Sequence, residues 1–135
     1  MINTDRLNAL LLDLLRISSP SRKEHAVAER LRREMEALGA EVAVDDAGAR
    51  VGGTTGNVIA RVRGRAESAP PLLLSAHMDT VVPCENIRPV VEGTVANLGT
   101  GMREIHTVKE WLDLRDVHAA AELVAEVVRL NAEAP

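Results

Sequence analysis

Leucine recurs at Leu7, Leu10, Leu11, Leu14 and Leu15, a helical spacing that lays one apolar stripe on a core and predicts a first helix capped by Asn3 or Thr4. It should stop near Ile17, where Ser18-Ser19-Pro20 breaks the pattern. Ser21 with Glu24 three residues later reads as a capping box and predicts a second helix. Val27, Leu31, Met35 and Leu38 mark its inner face, Arg30, Arg32, Arg33, Glu34 and Glu36 fall mostly outside, and Gly39 supplies a left-handed stop. The period then changes to alternation. Val42 and Val44 lie on one side of a short strand ended by Asp45-Asp46, and Val58 to Val62 is a second strand. Between them Gly48, Gly52, Gly53 and Gly56 predict an exposed loop or hairpin connection. Leu72-Leu73-Leu74-Ser75-Ala76 is a continuous apolar run of the kind found in a strand buried on both faces. Pro83, Pro89, Gly93 and Gly99 interrupt the stretch from Thr80 to Gly101, which predicts loop with at most one short strand. Thr107 and Glu110 repeat the capping-box pattern, and Leu114, Val117, Ala121, Val124 and Val128 trace a closing helix. The pattern predicts a small α/β sandwich: a short mixed sheet built around Leu72 to Ala76, with helices packed on it.

Composition keeps this picture and narrows it. The chain has 135 residues, 46% hydrophobic and 27% charged, which suits one folded domain over 1–135 and excludes disorder. A net charge of -4 and a single aromatic residue, Trp111, speak against nucleic acid, which wants a basic face or stacking rings. No apolar run approaches the ~20 residues of a membrane span, and no export signal is visible, so a soluble chain without a membrane partner is expected. One cysteine, Cys84, allows no intrachain disulfide and favours the cytoplasm.

The sharpest chemical feature is Ser75-Ala76-His77-Met78-Asp79-Thr80, directly after the apolar run. On extended backbone His77 and Asp79 leave the same face, and a carboxylate behind an imidazole is the usual support of a metal-bound histidine. Taken alone, His-x-Asp reads first as a hydrogen-bonded loop pair. His106 stands among glycines before a helix start, while His25 and His118 read as surface histidines and Cys84 as a small apolar residue.

Residues Met1 to about Val95 resemble the start of the tripeptide aminopeptidase (peptidase T-like) branch of the M20 zinc peptidases. The similarity lies in Ile2-Asn3-Thr4-Asp5-Arg6-Leu7, Ser18-Ser19-Pro20-Ser21, Asp45-Asp46-Ala47-Gly48, Gly52-Gly53-Thr54-Thr55-Gly56-Asn57 and, above all, Ser75 to Pro83. Ala96 to Leu130 resembles the family's C-terminal end, through Asn97-Leu98-Gly99-Thr100-Gly101, His106-Thr107 and Glu110-Trp111. The resemblance implies a remnant of the family's catalytic domain, with 1–95 from its N-terminal and 96–135 from its C-terminal part. It implies that His77 and His106 are ligands to two different zincs, and that Asp79 is the catalytic carboxylate that orients and polarises His77.

The same resemblance exposes gaps. The bridging Asp, the Glu pair with the general base, a further ligand Asp and the dimerisation domain have no counterpart, and the chain holds no Glu-Glu dipeptide. Zinc is therefore expected to bind weakly or not at all, and cleavage of small peptides to be weak or nil. The alternative is a noncatalytic folded module that self-associates through an exposed sheet edge or apolar face.

Overall fold

The computed structural model describes residues 2–66, 68–93, 95–96 and 110–133. They form two compact units: one holds residues 16–65 and 75–87, the other the N-terminal helix, residues 68–74 and the chain from 88 onward.

In the second of these, helix α1 spans Thr4–Leu15. Asn3 caps it, its Oδ1 accepting from the Arg6 N–H at 2.9 Å. The leucines at 7, 10, 11, 14 and 15 are half-buried, and Leu11 packs with Val117 against the buried pair Leu112 and Leu114.

In the first unit, helix α2 covers His25–Ala37 and buries Val27 and Ala28. Its end is a Schellman turn: Gly39, at φ 82°, donates to the Glu36 carbonyl at 2.9 Å, and Ala40 to the Met35 carbonyl at 3.1 Å. Leu38, expected inside, is exposed, because this turn carries it past the last packed row of the helix. The capping box is also corrected. Glu24 makes no side-chain bond to the helix end; its Oε1 accepts from the Arg22 N–H at 2.6 Å, and Ser21 turns to Asp79 instead.

Strands β1 (Glu41–Val44) and β2 (Val58–Arg61) pair antiparallel, with Glu41 opposite Arg61 and Val44 opposite Val58. α2 packs on both. The glycine-rich connection is a structured hairpin arm rather than an open loop, since it contains helix α3 (Ala47–Val51) stopped by Gly52 at φ 71°. Gly48 is buried there: a Cβ on it would stand 1.7 Å from the Thr55 carbonyl oxygen. Only a residue without a side chain permits that approach.

The other unit carries a second sheet, β3 (Val91–Glu92), β4 (Val95–Ala96) and β5 (Leu112–Asp113), antiparallel in the order β3-β4-β5. Helix α4 (Leu114–Ala132) follows at once, capped by Asp113, whose carboxylate accepts from the Arg115 N–H at 2.9 Å. It packs on α1, and His118, expected as a surface residue, is half-buried with Nε2 2.9 Å from Asn8 Oδ1. The Thr107 cap lies outside the described residues.

The α/β class holds, but the mixed sheet around Leu72–Ala76 is not formed. Those residues enter no ladder, and Leu72, Leu73 and Leu74 are 42%, 88% and 58% exposed. A strand buried on both faces needs neighbours and covering layers, and none of the described elements supplies them. Val124 and Val128 of α4 are likewise exposed.

Candidate functional site

The loop 75–80 is held by the turn between α1 and α2. Pro20 and Thr80 form an isolated parallel bridge; the Thr80 N–H and hydroxyl donate to the Ser19 carbonyl at 2.8 and 3.2 Å, and the buried Ser19 hydroxyl donates to the Met78 carbonyl at 2.8 Å. Five dozen residues separate these partners in sequence, so the serine cluster reads locally as a helix break while its structural work is to clamp this loop.

The clamp brings together His77, Asp79 and Ser21. His77 Nδ1 lies 3.0 Å from Asp79 Oδ1 and 2.9 Å from the Asp79 carbonyl oxygen. Both neighbours only accept, so Nδ1 carries the hydrogen and Nε2 keeps its lone pair. The His77 side chain is 84% exposed, which leaves Nε2 open to an incoming ligand. Ser21 donates its hydroxyl to Asp79 Oδ2. That bond, and after it the one to His77, hold the Asp79 carboxyl below the usual carboxylate range. Asp79 is thus an ionised acceptor between two donors. The pairing agrees with the expectation from His-x-Asp, and Ser21 is the member that local sequence pattern misses.

Cys84 is buried, its Sγ 3.5 Å from the Ser18 hydroxyl, which fits its reading as a small packed residue. A shallow open depression of about 340 Å³ lies elsewhere on this unit, lined by residues including His25, Glu29, Asp45 and Thr54. Two of its three carboxylates are already engaged: Glu29 pairs with Arg32 at 2.9 Å, and Asp45 accepts from Asn57 and Ala47, while Asp46 is exposed with Arg50 at 3.8 Å.

Among the described residues no three His, Cys, Asp or Glu side chains converge as a metal site. His106, the second expected ligand, lies outside the described residues. A catalytic zinc takes three protein ligands and keeps one position open. Around His77 the described residues bring one outward imidazole nitrogen, and they do not by themselves fit a zinc centre.

The chain's relatives agree with this partial picture. It shares the fold of the M20-type peptidases. Its structure matches the crystal structure of aminopeptidase PepT from Bacillus cereus with a TM-score of 0.67 and 29% identity, over 70% of this chain and 26% of that one. In sequence it is 36% identical over 101 residues to the uncharacterised protein YqjE of Bacillus subtilis, covering 74% of this chain and 27% of that protein. It is 40% identical over 81 residues to a provisionally named LysW-lysine/LysW-ornithine hydrolase of Pyrococcus furiosus, covering 60% of this chain and 22% of the relative. No family model matches. The chain spans about a quarter of the length of these relatives, so it is related to peptidases and hydrolases through one part of their architecture. The finer likeness to the tripeptide-cleaving branch is not distinguished by these matches.

Proposed function

We propose that this chain is a partial peptidase fold of the M20 type, tripeptidase-like by descent, that presents one oriented imidazole and does not turn over peptides on its own. Residues 1–95 and 96–135 correspond in this reading to the two ends of a catalytic domain, working in the cytoplasm. The single supporting observation is the site itself: His77 is backed by Asp79 and open at Nε2. If zinc binds, His77 and His106 are its donors in this proposal, with Asp79 behind His77, and binding is mononuclear and weak. No hydrolytic step is assigned to it. Absence of a positioned general base alone costs on the order of 100- to 10,000-fold in rate.

The test is to incubate the purified chain with added zinc and tripeptides. Hydrolysis at or near background is expected. Robust turnover that a chelator abolishes and that His77→Ala removes would overturn the proposal.

A second reading, self-association as a noncatalytic module, is favoured by the exposure of Leu72, Leu73 and Leu74. In it a second copy covers this unpaired apolar segment.

A further inference from the structure

The Asp79 carboxylate has two oxygens and meets two donors, one from each side. Oδ1 faces Nδ1 of His77, and Oδ2 takes the hydroxyl hydrogen of Ser21. The position of that hydroxyl is set by backbone pairing: Ser21 directly follows Pro20, which bridges Thr80, and Ser19 is bonded to both Met78 and Thr80. The hydroxyl therefore arrives at Asp79 from a segment pinned on either side of it.

Rotation of a carboxylate about its last torsion is broad and roughly two-fold. A donor on one oxygen selects which edge the other oxygen presents. Among the described residues His77 is oriented by Asp79, through the carbonyl and the carboxylate, and is otherwise largely in solvent. What fixes the carboxylate thus also fixes the ring.

We propose that Ser21 is a positioning residue: by occupying Oδ2 of Asp79 it turns Oδ1 onto Nδ1 of His77 and holds the imidazole as the Nδ1–H tautomer, its Nε2 lone pair turned to solvent. Neutral imidazole nitrogen is a common ligand for zinc-like cations, and which nitrogen is available is set by the hydrogen bond made at the other. The inference rests on the reading of His77 as a metal donor, but its central claim concerns the metal-free protein. The Asp79 carbonyl also accepts from Nδ1, so loss of the hydroxyl should mix the two tautomers and not invert them.

The experiment is long-range proton–nitrogen NMR of the metal-free chain at about pH 8.5, some two units above the ordinary imidazole pKa of about 6.5. The His77 signals are identified by their loss in His77→Gln. Wild type should show a protonated Nδ1 and a bare Nε2. Ser21→Thr should keep that pattern, and Ser21→Val, which matches threonine in shape but lacks the hydroxyl, should move both nitrogens toward an averaged position. A wild-type His77 protonated at Nε2 overturns the proposal. So does a valine variant with an unchanged ring, or a threonine variant that changes as much as valine. Should the valine variant unfold while threonine folds, Ser21 holds the chain together rather than one ring, and the proposal also fails. A final titration with zinc alone separates the two ideas: if no variant's His77 responds, the donor reading fails, while the tautomer comparison still decides the role of Ser21.

Discussion

Glycine and serine show how much one residue depends on what surrounds it. In the sequence Gly39 reads as a helix stop and Gly48 as a loop residue, and in the structure they do different work. Gly39 sits at φ 82° with open space around the position of a Cβ, so Gly39→Ala costs only the left-handed backbone, about 1 kcal/mol. Gly48 has no positive φ, yet its Cβ would meet the Thr55 carbonyl oxygen at 1.7 Å. Backbone must move to admit it, and Gly48→Ala should cost about 3 kcal/mol. Urea denaturation of the two variants checks the ranking; equal midpoints would show that the hairpin arm yields easily. Ser21 teaches the same lesson in reverse. Its spacing to Glu24 is that of a cap, but its hydroxyl turns away from the helix end to donate to the ionised Asp79 carboxylate, which is delivered by tertiary contact.

Elements formed where local signals agreed with one another. α1, α2, β1, β2 and α4 lie where the periodicity places them, and the Schellman turn at Gly39 follows from glycine itself. The arm between β1 and β2 was legible only as glycine-rich, because its order comes from Asp45. The Asp45 carboxylate accepts from the Asn57 side chain at 2.8 Å and from the N–H groups of Asn57 and Ala47 at 2.8 and 3.0 Å. These bonds, the Asn57 side chain first, hold its carboxyl below the usual range. A depressed folded pKa contributes stability above the unfolded value, about 4, and that contribution is lost as pH falls through the folded pKa. Denaturation midpoints of the wild type should therefore drop between about pH 5 and pH 3 more steeply than those of Asp45→Asn. Parallel slopes would mean that Asp45 does not order the arm. Glu29 and Asp79 titrate alike in both proteins and cancel in the difference.

At the scale of the whole chain, the described apolar residues that are buried are Val27, Ala28, Cys84, Leu112 and Leu114, while Leu73 and Leu123 are 88% and 66% exposed. Self-association should follow, with mass by light scattering rising with concentration. Burying one leucine contributes about 2 kcal/mol, roughly 30-fold in a dissociation constant, so Leu73→Lys should shift the chain toward monomer by about that factor. A monomer at every concentration would remove the self-association reading. Periodicity and glycine stops act over a few residues, and so the sequence by itself determined helices α1, α2 and α4, the strands of the first hairpin, and the motif that puts His77 two residues from Asp79. The tertiary structure decided everything that needs distant partners: that Ser21 serves Asp79, that Asp45 orders the arm, and that Leu72–Ala76 stays outside any ladder. An apolar run records a preference for burial, but burial happens only where other chain is present to provide it.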